Sequence, residues 1–242
     1  MLYNVVMQKL SGKTVLITGS SQGIGAETAL AFAKQGCNLI ITFLHEVSKA
    51  EDIVRRAKSA GAKSVEMYHL DIKQSDSIKK LLKSVLLKHG AIDILVNNAG
   101  VIRWKKFDTQ TDEDIDDQIE TNLVGLIKLT KQALPHIRET IINLASGAGS
   151  HPVVDLSVYC ASKYGVRGFT EVLAIENPGL KIYTISPTMT STEMTDYHGM
   201  PAEKVAEVIV QTAKDGYGQE SGSDIKVWEV LNKQAANIAE GV

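Results

Sequence analysis

The chain predicts an α/β fold: one doubly wound domain over residues 1–242, its parallel sheet covered by helices on both faces. Three observations carry that expectation. Short apolar runs rich in β-branched residues alternate with longer helical stretches along most of the sequence. The short runs are apolar almost throughout rather than at every second position, as strands buried on both faces must be. Glycines at 36, 61 and 90 stop three of the helical stretches, where a left-handed residue ends a helix at little cost.

In order, residues 13–18 (KTVLIT) read as a buried strand, and a glycine-rich turn follows. A helix over 26–35 has no internal glycine or proline and ends at Gly36. Residues 38–43 (NLIITF) form the second strand, 47–60 a polar helix, 64–70 (SVEMYHL) the third strand and 75–89 a helix. AIDILVNN is the fourth strand. A long helix is expected over 112–137, bent or ended by Pro135. TIINLAS is the fifth strand, 157–176 a helix, LKIYTIS the sixth strand, 202–213 a short helix and DIKVWEV the seventh strand. The last residues, 231–242, read as a polar helical tail.

Composition narrows the function classes. Apolar residues make up 44% and charged residues 22%, values of an ordinary globular chain. A formal net charge of −2 gives no basic field to recruit nucleic acid or an anionic membrane. No apolar run approaches the ~20 residues of a membrane span. The N-terminal MLYNVVMQKL has neither the basic start nor the apolar stretch of a secretion signal. Two cysteines, Cys37 and Cys160, are too few and too far apart for a disulfide framework or a metal site. A cytoplasmic protein without metal is expected.

Two motifs carry chemistry. TGSSQGIG (18–25) sets glycines at 19, 23 and 25 between a strand and a helix. Glycine there allows a tight turn and close backbone approach, and the helix N-terminus offers unpaired N–H groups to a pyrophosphate. The second motif is SGAGSHPVVDLSVYCASK (146–163). Tyr159 and Lys163 are four residues apart, on one helix face, so the ammonium lies near the phenol. A nearby cation favours phenolate, which is expected to pull the phenol below its usual ~10 and fit it for acid/base work.

Together TGSSQGIG, NNAG (97–100), Asn122, Ser146 and YCASK (159–163) resemble the short-chain dehydrogenase/reductase family, in its motif order. The resemblance covers residues 10–194 well and the remainder poorly. It implies a Rossmann-type fold with a seven-stranded parallel sheet, binding NADP or NAD beside the tyrosine.

By the same resemblance Tyr159 is the acid/base and Lys163 holds the nicotinamide ribose and tunes the phenol. Ser146 polarises the substrate carbonyl, and Asn122 anchors a water in the proton relay, or serves only as a structural amide inside the long helix. The implied cofactor contacts are Gly19, Ser21, Gln22, Gly23, Ile24, Gly25, Phe43, Asp71, Ile72, Asn98, Ala99, Gly100, Pro187, Thr188 and Thr192, with Tyr159 and Lys163. Asp71 would touch adenine, or serve only as a turn aspartate. Asn97 would stabilise the central sheet.

The chain departs from the family pattern in three places. Thr188 follows Pro187 where glycine is usual, the substrate-covering segment is short (193–201), and the glycine-rich end after the last strand is missing. Phe43 occupies the position where a carboxylate would favour NAD, so NADP is preferred, although no arginine stands beside it; His45 and Lys49 are the nearest basic candidates.

The implied substrate is a small-molecule ketone, aldehyde or secondary alcohol, a 3-oxoacyl thioester or a sugar among them. Arg103 and His151 are the candidates to hold an anionic group. The implied assembly is a homodimer or homotetramer built on helices 112–137 and 157–176. The alternative is a dinucleotide-sensing regulator on the same fold, but such regulators commonly lack the tyrosine or lysine kept here. An epimerase or dehydratase would need a larger C-terminal region.

Overall fold

The computed structural model describes residues 9–239, in which strands and helices alternate as the sequence predicts. The strands are β1 (Thr14–Ile17), β2 (Asn38–Phe43), β3 (Ser64–His69), β4 (Ile92–Asn97), β5 (Ile137–Leu144) and β6 (Lys181–Ser186). After the two-residue β7 (Thr190–Ser191) and β8 (Met200–Pro201) comes β9 (Asp224–Lys226). Among the described residues seven strands form one parallel sheet in the order β3-β2-β1-β4-β5-β6-β9.

The near-continuous apolar strands follow from this arrangement. Successive side chains point to opposite faces of a strand, and here both faces are covered. Val15, Ile17, Leu39 and Ile41 pack with helices α1 (Gly23–Ala33), α2 (Val47–Ser59) and α7 (Ala202–Ala213). Their neighbours Leu16 and Ile40 face the other way. There they meet α3 (Ser75–His89), α5 (Leu126–Ala133) and α6 (Ser157–Glu176). Each such side chain, fully buried, contributes roughly 1.5–3 kcal/mol.

The expected helix over 112–137 is three pieces. Thr111 caps α4 (Asp112–Ile119) in a capping box with Asp114. A π turn, Glu120–Gly125, then widens the helix before α5 begins. Pro135 falls in a 3₁₀ turn, and Ile137 belongs to β5 rather than to the helix. The seventh strand is likewise shorter than DIKVWEV: it stops at Lys226, and α8 (Val227–Ala239) takes over. The tail expected over 231–242 is therefore the continuation of a helix as far as 239; residues 240–242 lie outside the described residues. No helix among the described residues is long and apolar enough to cross a membrane.

The chain leaves β1 toward β2 and β3 on one side and returns to β4 on the other. That reversal opens a crevice beyond the carboxyl ends of β1 and β4, the place where open α/β sheets bind ligands.

Candidate active site

Beyond β1 the glycine turn is held by a set of short hydrogen bonds. The fully buried Thr18 hydroxyl accepts from the N–H groups of Asn98 and Ala99, both at 2.9 Å. The Asn98 amide donates back to the Thr18 and Gly19 carbonyls at 2.8 and 3.0 Å. Ser20 Oγ accepts from Thr42 N at 2.9 Å, and Gly19 N donates to Thr42 Oγ1 at 3.0 Å, stitching the turn to the end of β2. Gly23 has φ +57°, a left-handed conformation suited to glycine.

At Gly25 the constraint is space. A Cβ there would lie under 3.0 Å from both the Gly19 carbonyl and the Asn98 amide. Gln22, at the N-terminus of α1, makes no side-chain cap, so the first N–H groups of that helix are open to a ligand. Beside them a cleft of about 410 Å³ runs between Ser21–Gln22–Gly23 and the first turns of α2. This backbone cradle fits a dinucleotide pyrophosphate. Gly19 and Ser21 belong to the same turn, and Ile24 to the first turn of α1.

The second half of the site stands at the ends of β4 and β5. Ser146 follows the end of β5 and caps a 3₁₀ turn, its Oγ accepting from Ala148 N at 3.2 Å. On α6, the Lys163 ammonium lies 5.6 Å from the Tyr159 ring centroid and donates to the Leu144 carbonyl at 2.9 Å. Lys163 is 4% exposed, whereas Tyr159 is half-buried and so within reach of a substrate.

Asn122 sits inside the π turn, fully buried. Its Oδ1 accepts from Val101 N at 2.7 Å, and its Nδ2 donates to the Val101 carbonyl at 2.8 Å and to Ser162 Oγ at 3.1 Å. Ser162 in turn donates to the Tyr159 carbonyl at 2.7 Å. A π turn is a frequent device at functional sites. Here it turns one amide to tie the chain after NNAG to the helix that carries Tyr159. A Cβ on Gly100 would lie 3.2 Å from Asn122 Oδ1 and 3.6 Å from Lys163 Nζ, so NNAG, Asn122 and Lys163 meet at one point.

The expected depression of the tyrosine is reversed in this geometry. Burial pushes the Tyr159 phenol up to about 12, while a hydrogen bond from Ser146 pulls the other way. Burial also pushes the Lys163 ammonium down to about 8. Desolvation penalises the charged form of each group. The lysine spends one donor on Leu144, so proximity alone does not convert Tyr159 to phenolate.

Other expectations resolve one by one. Asn97 links the sheet: its Nδ2 donates to Thr130 Oγ1 at 2.9 Å and to Asn143 Oδ1 at 2.8 Å, as its sheet-stabilising reading requires. Asp71 Oδ1 accepts from Lys73 N at 3.0 Å in the turn after β3. Ile72 is buried beside the π turn. Phe43 ends β2 half-buried and meets the His69 ring edge-on, with centroids 6.0 Å apart.

The Pro187 carbonyl accepts from Gly147 N at 2.8 Å, and Thr188 is exposed beyond it. Thr192 packs its methyl against Gly23, 3.3 Å from where a Cβ would stand. Arg103 is not free for an anion: its guanidinium is bound to Asp117 at 2.6 Å and lies 3.5 Å from Asp114. His151 is exposed, with Ser150 Oγ 3.0 Å from its Nδ1.

Sequence reasoning missed Ser162, the Leu144 carbonyl and the Ser20–Thr42 stitch. Ser162 lies within the quoted YCASK motif, so its position was the available clue; the backbone carbonyl of Leu144 leaves no trace in side-chain pattern.

Comparison with known proteins agrees with this geometry. The sequence profile described as short chain dehydrogenase matches residues 13–201. A 3-oxoacyl-[acyl-carrier-protein] reductase of Staphylococcus aureus is 31% identical over 215 residues, 86% of each chain. The reductase of the same name from Thermotoga maritima is 32% identical over 244 residues, covering 90% of this chain and 97% of its own. Among solved structures, a short chain dehydrogenase of Burkholderia cenocepacia in complex with NADP superposes with a TM-score of 0.84 at 26% identity. It covers 90% of this chain and 97% of its own. The chain thus belongs to the short-chain dehydrogenase/reductase family and is an NAD(P)-dependent oxidoreductase that moves hydride between a nicotinamide and a carbonyl or alcohol.

Proposed function

We propose that the protein is an NADP-dependent carbonyl reductase, or the reverse alcohol dehydrogenase, with Ser146, Tyr159, Lys163 and Asn122 as its working set in a single domain. The observation that carries the reading is the meeting of Ser146, Tyr159 and Lys163 beside the glycine turn, with Tyr159 half-buried and protonated at neutral pH. A bound nicotinamide supplies or accepts the hydride. Ser146 donates to the substrate oxygen, where negative charge builds up as the carbonyl is reduced. Tyr159 gives that oxygen its proton, and Lys163 stabilises the phenolate left behind. Asn122 holds the chain after NNAG against α6 and thereby keeps Tyr159 in place.

NADP is preferred because Phe43 offers no carboxylate to repel a 2′-phosphate, and the Burkholderia relative was solved with NADP. A 3-oxoacyl thioester is the substrate class to test first, since the curated relatives carry that activity in their names. Exposed apolar side chains on the surrounding loops, Trp104, Val154, Met189 and Tyr197, support an apolar chain on the substrate. The deciding experiment is a panel of carbonyls and alcohols with NADPH, NADH and their oxidised forms, read at the nicotinamide absorbance. Turnover of a 3-oxoacyl thioester with NADPH at least tenfold above NADH is expected. Preference for NADH overturns the cofactor assignment, and activity confined to sugars overturns the substrate class.

Tyr164, Val172 and Ile175 lie on one side of α6 at 46%, 55% and 80% exposure, an apolar stripe that supports two-fold packing against a second copy. A homodimer or homotetramer is expected by light scattering at micromolar concentration, and a stable 26.3 kDa monomer would contradict it. The two free cysteines are compatible with a cytoplasmic setting.

A further inference from the structure

We propose that Trp228, in the helix that follows the last strand, gauges the substrate beside Ser146. It leaves room for one short arm on the reacting carbonyl and directs the longer arm to the other side. The inference rests on the carbonyl-holding role of Ser146 proposed above and deepens it.

Neighbouring parallel strands deliver the parts. In the order β4-β5-β6-β9 the strands run the same way, so their carboxyl ends share the edge of the sheet where ligands bind. Ser146 follows β5, Pro187 follows β6, and Trp228 is the second residue after β9. Gly147, next to Ser146, lies between the other two. A Cβ there would stand 3.6 Å from the Pro187 carbonyl oxygen and 3.8 and 3.9 Å from indole atoms Cζ3 and Cη2 of Trp228. These are ordinary contact distances, so the space over Gly147 is one carbon deep. A second carbon would meet the indole.

On the β4 side the site is open. Trp104, after β4, and Val154, before α6, are both exposed. Lys105 N donates to the Asp155 carbonyl at 3.1 Å and joins their two loops. An apolar arm finds a surface there without a close wall. Ser146 therefore stands between a tight side and a roomy one.

The tight side is fixed by its surroundings. Ile225 and Val227, flanking Lys226 just before the tryptophan, are buried in the core. Asp224 accepts from Ser186 Oγ at 2.6 Å and pairs with Arg167 Nε at 3.1 Å. Arg167 Nη1 donates to the Gly149 carbonyl at 2.8 Å, so one guanidinium joins β9 to the turn that Ser146 caps. The Lys226 ammonium lies over the indole, 5.8 Å from its centroid, an attractive contact with the ring face. Trp228 itself is only half-buried. An indole serving as core alone would be as buried as Ile225 and Val227.

Methyl pentyl ketone and dipropyl ketone test the gauge, because the two are isomers that differ in the shorter arm. Their reduction is compared at saturating NADPH or NADH in wild type, Trp228→Ala, Trp228→Phe and Gly147→Ala. Wild type is expected to favour methyl pentyl ketone ~10-fold or more in kcat/KM, the scale that methylenes set in an apolar pocket. Trp228→Ala should raise kcat/KM for dipropyl ketone ~10-fold or more and leave methyl pentyl ketone within about threefold, with a smaller gain in Trp228→Phe. A gain of that kind cannot come from a loosened fold. Gly147→Ala meets only ordinary contacts, so it should fold, fill the one-carbon space and lower kcat/KM for methyl pentyl ketone ~10-fold, with dinucleotide affinity within about twofold of wild type. Should neither ketone turn over, the same rankings are read from their inhibition of a carbonyl that does. A wild type that favours dipropyl ketone, a Trp228→Ala protein that loses both ketones alike, or an unimpaired Gly147→Ala overturns the proposal and leaves the reductase reading standing. A wild type that reduces no carbonyl removes the role of Ser146 and the gauge together.

Discussion

Replacing Tyr159 by phenylalanine is expected to lower turnover at least ~10²-fold, the usual loss on removing a general acid/base, while dinucleotide binding survives. The ring keeps its place on α6, and the backbone bond from Ser162 to the Tyr159 carbonyl does not depend on the phenol. The pH dependence sharpens the test. With the phenol near 12 and the ammonium near 8, the pair loses its first proton at about pH 8. That proton belongs to the pair: phenol with neutral lysine and phenolate with ammonium hold the same number of protons. The fully protonated pair is the acid that reduction needs, so reduction should fall as pH rises through about 8. The singly deprotonated pair is the base that oxidation needs, so oxidation should rise through the same range. Both limbs should vanish from the residual activity of Tyr159→Phe. Near wild-type kcat in that variant, with a good substrate, would end the mechanism.

The two opposed shifts also explain what the sequence could and could not reveal. Spacing alone put Lys163 beside Tyr159, because four residues on a helix is one turn, and the structure keeps them 5.6 Å apart. Spacing carries no information about burial, and burial decides the direction in which each group titrates. The same division holds for the fold. The strands β1, β2 and β4 were legible because burial on both faces leaves mostly apolar residues, a pattern independent of tertiary detail, whereas β3 lies at the sheet edge and keeps Ser64, Glu66 and His69. The π turn was not legible: ETNLVG has no proline, and the widened turn arises from Asn122 satisfying both polar groups of Val101, 21 residues away.

Arg103 shows the limit from the other side. It falls in the segment that lines the substrate pocket by family resemblance, but Asp114 and Asp117 on α4 are close enough to hold it. Only the fold brings those carboxylates to it. The C-terminal strand was overestimated because VWEV reads as β-rich by composition, while β9 has only three residues to pair and the chain then turns into α8.

Gly25→Val should remove dinucleotide binding by at least ~10²-fold with the sheet intact. The reason is spatial. A Cβ at 25 would stand under 3.0 Å from the Gly19 carbonyl oxygen, which is backbone, and from the Asn98 amide, which is tied to Thr18 and Gly19. Neither neighbour can yield without shifting the turn that holds the pyrophosphate. A charge-assisted hydrogen bond is worth roughly 1.5–3 kcal/mol, so misplacing two of them is enough for the ~10²-fold loss. Gly25→Ala separates space from chain branching: it meets the same two atoms and should already lose most of the affinity. Circular dichroism should show both variants folded, because the contact lies at the mouth of the crevice and α1 keeps its buried face of Ala29, Phe32 and Ala33. A folded Gly25→Val protein that binds NADPH and NADH as the wild type does would remove the glycine turn from the cofactor site, and with it the placement of Phe43 beside the ribose.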